Sequence, residues 1–595
     1  MDTVLAGTVA VVVASALVTR LSYSWLLPKP IPDIPHNPIT GILGDIPAFT
    51  HDKKNGNKLF SNFVVDMVKT YGPISQILFG WHRMVIVANK EEAERLTSAG
   101  KIVDTTERFR TAHVVTLFSV RYYFADSTGL EWPFIMANTG ILRTFLFIQD
   151  ETWKKHRRLA GPSMSKRYLE RMSERIAFGA NQLVRLWEAK YALVGSAAFE
   201  ADLDFHFATM VRPDSPSNTY PMLKISIWSV GQYWHRVNIT FGDSIGCVES
   251  AYRALPSTYP LSTTIAHFPP SDPPPVYTAG KVIAKAIEKA LQSPFPKLTT
   301  WIFTYTSPTW WKNYNFMVSF FTSAIVRARK REAELERAGK GLSTDADCVL
   351  DMIVQRERRE GVETLGDRDI LDELITYVFA GQDTTASTLS WLVKYLPDDP
   401  EIQQRLHEEM CNVFGADADA DADSNKGLNF DLLDDPERVP ILEAVVAETM
   451  RCAAVAAFVG RELLKDEIIL NRVVPKGTDI FFATDIMGKD TSVWGPDAEE
   501  WRPTRWLTQD GLFNRSAGPS IPFGMGQRSC FGQRLAIHQL KMYLAIMSRR
   551  FFFKRVPPEV GTWEAVEVIG RRPMMCYVSL ENWESKINME GGVLG

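Results

Sequence analysis

The first apolar stretch of the chain runs without a charge from Val4 to Thr19, and Arg20 separates it from a second stretch, Leu21 to Leu27. Together they reach the roughly 20 residues that a membrane-spanning helix needs, and the long side chain of Arg20 can extend to an interface. Positively charged side chains follow the stretch rather than precede it, so the positive-inside rule predicts that the rest of the chain lies in the cytosol. We therefore predict a single transmembrane anchor over residues 1–27.

A cleaved signal peptide is the alternative interpretation, because Ala14-Ser15-Ala16 would serve as a cleavage site. The missing basic segment before the apolar run argues against it. Five prolines follow between Pro28 and Pro38. They predict a stiff, extended linker over residues 28–50.

Beyond the linker, residues 51–595 have the patterns of one catalytic domain. Ile74 to Phe79 and Met84 to Ala88, separated by Gly80-Trp81-His82-Arg83, predict a hairpin, and a short helix should begin near Lys90. Most later segments have helical periodicity. The predicted fold class is therefore mainly α with small β-sheets.

Two segments are expected to be irregular. Pro213 to Pro275 is too rich in proline for one continuous helix. Residues 416–425 are a low-complexity segment in which Ala and Asp alternate at first, as expected of a solvated surface insertion.

Composition excludes some function classes. The chain has 595 residues, 45% hydrophobic and 23% charged, with a net charge of −4, so nothing predicts binding to nucleic acid. Its six cysteines lack both zinc-site spacing and the density of a secreted disulfide scaffold. A reducing compartment fits best.

One cysteine has unusual surroundings. Residues Phe523 to Gly532 read Phe-Gly-Met-Gly-Gln-Arg-Ser-Cys-Phe-Gly, which places Cys530 in a glycine-rich loop before an amphipathic helix and two residues after Arg528. A thiol has a pKa of about 8.5, so a sulfur ligand at neutral pH needs cations, a helix N-terminus or a metal nearby. A phosphate loop and an inert buried cysteine are the alternatives, but the third glycine of a phosphate loop is missing.

The segment resembles the haem-binding signature of the cytochrome P-450 family, Phe-x-x-Gly-x-Arg-x-Cys-x-Gly, at every fixed position. The resemblance implies that Cys530 is the axial ligand of haem b, iron protoporphyrin IX. It also implies that Phe523 shields the sulfur and that Arg528 holds a propionate. Gly526 would need a backbone conformation that a side chain forbids, and Gly532 would let the main chain approach the porphyrin.

A second motif lies in the helical segment Leu371 to Thr385. Its Ala-Gly-Gln-Asp-Thr-Thr sequence, residues 380–385, is similar to the family's oxygen-activation motif. Asp383 and Thr384 are thereby identified as an acid-alcohol pair that delivers protons to dioxygen, and Thr384 should hydrogen-bond back to the carbonyl of Ala380. A polar helix end on the surface is the alternative.

Two further motifs occur in the family's order. Glu448 and Arg451 share a helix face over Leu442 to Cys452 and precede the segment Trp501 to Trp506. The resemblance implies that they form, with Arg505, a buried structural network. The same Glu-x-x-Arg spacing at Glu92/Arg95 and Glu334/Arg337 predicts only solvated faces.

Donors to the haem propionates come from elsewhere in the chain. Trp153 and Arg157 match the family's Trp-x-x-x-Arg helix, and Arg461 lies where many members place another donor. Candidate walls of an apolar pocket are Ile375, Phe379, Phe458, Val459, Ile569 and the aromatic-rich stretch Phe118 to Phe147.

The resemblance covers about residues 28 to 595 and implies the cytochrome P-450 fold, of the microsomal type found in fungi. The expected activity is insertion of one atom of O2 into a lipophilic secondary metabolite, terpenoid, steroid or xenobiotic aromatic at the endoplasmic reticulum membrane. Electrons would come from NADPH through NADPH-cytochrome P-450 reductase, with cytochrome b5 as a second donor, because the chain has no Rossmann fingerprint or flavin domain. The alternatives are a reductase-independent peroxide isomerase or dehydratase and a non-catalytic membrane haem-binding protein.

Overall fold

The computed structural model describes residues 23–49, 59–98, 102–104, 150–208, 247–260, 264–291, 299, 302, 306–338, 346, 348–360, 365–415, 428–567 and 570–583. Most of the predicted anchor, the stretch Phe118 to Phe147 and the Ala/Asp insertion lie outside these ranges. Within them, none of the helices combines the length and the apolar character needed to cross a bilayer.

Helices dominate the described residues, as the periodicity predicts. In chain order they are α1 (Phe60–Tyr71), α2 (Lys90–Ser98), α3 (Asp150–Ala160), α4 (Lys166–Val194), α5 (Asp202–Ala208), α6 (Cys247–Arg253), α7 (Pro275–Leu291), α8 (Pro308–Arg337), α9 (Val349–Glu360), α10 (Asp367–Tyr395), α11 (Pro400–Phe414), α12 (Phe430–Leu433), α13 (Pro440–Ala453), α14 (Thr484–Gly488), α15 (Thr491–Trp494) and α16 (Gln533–Arg550). Short 3₁₀ turns cover Gly161–Met164, Leu396–Asp398, Pro503–Trp506 and Gly526–Arg528.

The strands are few and short. They are β1 (Ile74–Phe79), β2 (His82–Val87), β3 (Val103–Asp104), β4 (Ala198–Glu200), β5 (Ile265–Ala266), β6 (Val459–Leu463), β7 (Glu467–Ile469), β8 (Arg472–Val474), β9 (Asp479–Phe482), β10 (Phe551–Lys554), β11 (Ala565–Glu567), β12 (Arg571–Pro573) and β13 (Tyr577–Asn582). The chain divides into two compact units, the first comprising Met1–Phe109, Ala456–Asp490 and Pro519–Ser529, and the second the rest. The predicted mainly helical class with small sheets is confirmed.

The first unit is built on a five-stranded sheet of order β1-β2-β9-β6-β3. Its hairpin is tighter than predicted: Phe79 pairs with His82, which leaves only Gly80 and Trp81 in the turn. Gly80 has a φ of 59°, a conformation that glycine adopts at little cost. Helix α1 covers the sheet with Phe63, Val64 and Met67.

The proline-rich segment is fastened to the same unit. The buried amide of Gln76 donates to the carbonyls of Ile31 and Ile34, at 2.9 and 2.7 Å. In return the Ile31 N–H donates to the Gln76 side-chain oxygen at 2.9 Å. Both isoleucines are buried in the core of this unit, so this part of the predicted linker belongs to the folded structure.

The second unit holds the main helical core. Helix α10 extends well beyond the segment 371–385 in both directions, because its apolar stripe continues through Leu389, Leu392 and Val393. Helix α16 packs against α4 in the same core, where Trp187 is fully buried. In the described part of the irregular region 213–275, only α6 and β5 form before α7 begins at Pro275.

A buried carboxylate on α13 organises the segment Arg502–Trp506. Glu448 is inaccessible to solvent and accepts hydrogen bonds from the Nε atoms of Arg451 and Arg505, at 2.7 and 2.9 Å. Arg502 donates its backbone N–H to it, and Trp506 its indole N–H, each at 2.9 Å. Burial alone would lower the pKa of Arg451, but its contacts with Glu448 raise it above its usual value. The predicted triad is therefore brought together, and the indole of Trp506 is an additional member.

The other two Glu-x-x-Arg pairs differ from each other. Glu334 and Arg337 are exposed, as predicted. Arg95, by contrast, bonds Glu92 at 2.9 Å and also reaches Glu467 and the Ile468 carbonyl. That pair attaches α2 to the β7–β8 hairpin, so the prediction of a merely solvated face was wrong there.

The isolation of Glu448 from water leads to a stability prediction. Glu448→Gln should lower the free energy of unfolding by about 3–5 kcal/mol, because it leaves buried guanidinium groups without their counter-charge. The matched change Glu334→Gln, on an exposed helix face, should change it by about 0.5 kcal/mol or less. Denaturant unfolding of both variants measures the difference, and equal effects would contradict a structural role for the network.

Candidate functional site

The cysteine loop runs from the first unit into the second. In the first unit, Gly526 has a φ of 69°, and a Cβ atom there would lie 2.4 Å from the Thr97 carbonyl oxygen. The predicted need for glycine at this position is thus confirmed. Gly532 has an ordinary φ of −83°. A Cβ atom on Gly532 would meet no described atom within 4 Å, so glycine is not required there by the protein's own backbone.

Cys530 lies at the start of the loop's portion in the second unit. The residue is exposed, but nearby protein excludes water from the sulfur sufficiently to raise the pKa of the thiol. The Gly532 N–H and the charge of Arg157 oppose that rise. These two groups favour the thiolate, the form that binds metals.

The other five cysteines differ from Cys530. Cys247, Cys348, Cys452 and Cys576 are buried and Cys411 is half-buried. Burial raises the pKa of the Cys247 and Cys576 thiols far above the usual value. Buried thiols of this kind usually fill space in a core, so the exposed Cys530 is the candidate for metal binding.

Phe531, the residue after Cys530, is contacted by two helices. The Arg157 guanidinium of α3 lies 5.6 Å from its ring centroid, and the Tyr377 ring of α10 stacks on it at 6.2 Å. A buried pair one residue before Arg157, His156 with Glu373 at 2.8 Å, joins the same two helices. Trp153 lies on α3 as predicted, but its side chain is outside what the structure describes.

Arg461 and Arg528 lie close together in the first unit. Phe523, in the same unit, is half-buried. Arg461 donates to the Arg528 backbone carbonyl at 3.2 Å. Burial first, and the charge of Arg528 second, lower the pKa of Arg461 to about 10. The Arg528 guanidinium is paired with Asp104 at 2.7 Å. Two guanidinium groups and one carboxylate leave an excess of positive charge that suits an anionic ligand.

The oxygen-activation motif lies within α10. The Thr384 hydroxyl donates to the Ala380 carbonyl at 2.8 Å, which confirms the predicted back-bond. The two carboxylate oxygens of Asp383 differ: Oδ1 lies 3.4 Å from the Nε2 atom of His206, whereas Oδ2 is buried with no hydrogen-bond partner among the described residues. The Gln382 amide donates to the His206 carbonyl at 3.1 Å, which fastens α5 to the motif.

The predicted pocket walls have mixed outcomes. Ile375 is buried in the main core of the second unit, and Phe458 packs on Phe60 and Phe481 in the first. Packing within each unit is sufficient to explain why Ile375 and Phe458 are apolar, without a ligand pocket. The Phe379 side chain and Ile569 lie outside the described residues.

The donor set fits haem. A soft sulfur ligand at Cys530 suits iron, and the Arg461–Arg528 cluster suits carboxylates such as the two propionates. On α10, a Cβ atom added to Gly381 would have no described atom within 4 Å, so the helix backbone is accessible from that side. The first unit thus offers the arginines, and the second unit the cysteine, that the family signature implies.

Several residues that contact the candidate site belong to no recognisable sequence motif. Asp104, Phe531, Tyr377 and His206 contact the motif residues, but no fixed pattern marks them. His206 lies 177 residues before Asp383. Its only local signal is the i,i+4 spacing from Asp202, which many surface helices share.

Comparison with known proteins points to the same family as the cysteine signature. The family model described as Cytochrome P450 matches residues 277–567. The chain is 25% identical over 618 residues to the cytochrome P450 monooxygenase GME11363 of Pestalotiopsis microspora, covering 96% of this chain and 98% of that protein. It is 26% identical over 635 residues to the cytochrome P450 monooxygenase TRI13 of Fusarium sporotrichioides, covering 95% and 97%. The family model, these relatives and the complete cysteine signature together support a protein of the cytochrome P450 family, an oxidoreductase of the monooxygenase type.

Proposed function

We propose that this monooxygenase inserts one oxygen atom of O2 into a lipophilic small molecule, with Cys530 as the thiolate ligand of its haem. The observation that carries the proposal is the contrast among the six cysteines. Cys530 is exposed beside Arg157, whereas the other cysteines are buried or half-buried. A thiolate ligand makes haem iron able to cleave the O–O bond of dioxygen.

The protein's own groups prepare the sulfur and hold the cofactor's carboxylates. Arg157 and the Gly532 N–H stabilise negative charge on Cys530. Arg461 and Arg528 would bind the propionates by charge-assisted hydrogen bonds.

Asp383 and Thr384 would supply protons to the oxygen being activated. The Thr384 hydroxyl donates to Ala380, which leaves its oxygen able to accept a further hydrogen bond. Asp383 is a half-buried acid with a carboxylate oxygen still available for a donor. An acid beside a hydroxyl can pass a proton through the hydroxyl oxygen and be recharged from solvent.

The electron source and the location belong to the same proposal. NADPH would act through NADPH-cytochrome P450 reductase, with cytochrome b5 as a second donor, because the sequence has no nucleotide-binding fingerprint of its own. The apolar run Val4 to Thr19 supports a single anchor in the endoplasmic reticulum membrane, with the catalytic domain in the cytosol. A terpenoid, steroid or aromatic substrate fits this location.

Isotope labelling tests the proposed reaction directly. The protein is combined with the reductase, NADPH and a panel of steroids, terpenoids and polycyclic aromatics under ¹⁸O₂. We expect a product that carries one ¹⁸O atom and forms only with NADPH and reductase. Turnover of an organic hydroperoxide without NADPH would instead favour the peroxide isomerase or dehydratase, and no product with any compound would favour a non-catalytic haem protein.

Changes at the acid-alcohol pair should uncouple the reaction. In Asp383→Asn and Thr384→Ala, product formation should fall by about 10²-fold, the typical contribution of a positioned proton donor. NADPH consumption should continue and yield hydrogen peroxide. The control is Thr388→Ala, which removes an equivalent back-bond one turn further along α10, from Thr388 to the Thr384 carbonyl. Unchanged ratios of product to peroxide in both variants would remove the proposed role.

A further inference from the structure

His206 on α5 contacts the acid of the oxygen-activation motif. Its Nε2 atom lies 3.4 Å from Asp383 Oδ1, and its Nδ1 atom lies 2.9 Å from the Asp202 carbonyl oxygen. A carbonyl oxygen accepts only, so the Nδ1 atom carries a hydrogen. The Nε2 atom is thereby directed at the carboxylate in either charge state of the ring.

The ring is held in place by its surroundings. The Gln382 amide binds the His206 carbonyl, and the Asp202 carboxylate is bonded by Arg572 at 2.7 Å and by the Ser390 hydroxyl at 3.2 Å. These bonds join α5, α10 and β12. About a tenth of the His206 side chain and a quarter of the Asp383 side chain are exposed, so water can reach the pair.

From these contacts we infer that His206 acts through Asp383, orienting its carboxyl group and returning a proton to it after each transfer. In this step the imidazolium Nε2–H bond breaks as a new O–H bond forms at Asp383 Oδ1. The ring becomes neutral with its hydrogen on Nδ1, and water then supplies the replacement proton to Nε2. The inference rests on the proposed role of Asp383 in oxygen activation.

The charges around His206 favour its protonated form. Burial on its own lowers the pKa of the imidazole, but the hydrogen bond to Asp383 and the charge of Asp202 outweigh burial, so the pKa lies above its usual value. Other titratable or charged groups lie on the helices near α5. They are Lys190 on α4, Cys247 and Glu249 on α6, and Tyr277 and Lys281 on α7. Arg572 on β12 bonds the Asp202 carboxylate.

Several of these groups are neutral or already paired. Lys190 pairs with Asp204, and Arg572 pairs with Asp202. Burial raises the pKa values of Cys247 and Tyr277, so both stay neutral at physiological pH. Among the described residues, Asp383 and Asp202 are the carboxylates that raise the pKa of His206. The protonated form of His206 predominates below this raised pKa and is lost as the pH rises through it.

The first experiment measures the ring rather than turnover. The full-length holoenzyme, as its diamagnetic ferrous carbon-monoxide complex, is labelled with ¹³C-histidine, and His206→Gln assigns the resonance. We expect a pKa above 6.5 in the wild type and a lower value in Asp383→Asn. An unchanged pKa in Asp383→Asn would overturn the inference, because the two groups would then not be coupled.

The second experiment measures coupling against pH. In the wild type, the ratio of product to hydrogen peroxide should fall as the pH rises through the value measured for His206. In His206→Gln the ratio should be several-fold lower at pH 6.5 and should no longer vary with pH. His206→Lys should not restore it, because lysine keeps the positive charge but does not release its proton near neutral pH.

The control is His267→Gln, which changes an exposed histidine of the same unit and should leave both the ratio and its pH profile unchanged. Restoration of the wild-type ratio by His206→Lys, or an unchanged pH profile in His206→Gln, would overturn the inference while leaving monooxygenase activity intact. Loss of product in the wild type itself would instead contradict the proposed function, and the histidine titration would still test the coupling.

Discussion

The buried carboxylate of Glu448 is the constraint on which the second unit's architecture near α13 depends. It is isolated from water and takes hydrogen bonds from Arg451, Arg502, Arg505 and Trp506. Arg451 and Arg505 in turn donate to backbone carbonyls of the segment that precedes Trp501. A charge buried so completely is tolerated only with all its partners. The network therefore holds the segment from Asp497 to Trp506 against α13.

Some other buried charges of the second unit are also paired. His156 with Glu373 and Lys190 with Asp204 join separate elements. Two charged residues of the candidate site keep capacity for a further partner. Arg461 bonds only backbone carbonyls among the described residues, and Asp383 has one carboxylate oxygen without a described partner. Arg461 can therefore still bind an anionic group, and Asp383 can still accept a hydrogen bond from a proton donor or from water.

Sequence reasoning recovered what short motifs encode. It predicted the back-bond of Thr384 and the Glu448–Arg451 pair, because fixed spacing within one helix determines local geometry. From the family resemblance alone it predicted Arg505 as the third member of the Glu448 network and Arg461 and Arg528 as donors to the same cofactor. It placed the hairpin turn two residues too long, since cross-strand register depends on the twist of the paired strands. It missed Asp104, His206 and Phe531 because their contacts depend on which elements pack together, and periodicity does not specify such pairing.

The most direct test of the account is the absorption spectrum of the reduced, carbon-monoxide-bound protein. A thiolate from Cys530 should give the red-shifted band of haem-thiolate proteins, and Cys530→Ala should abolish that shift. The matched variant Cys576→Ala, at a buried thiol of the same unit, should keep it. A wild-type spectrum without the shift, or a shift that survives Cys530→Ala, would contradict the assignment of Cys530 as the iron ligand.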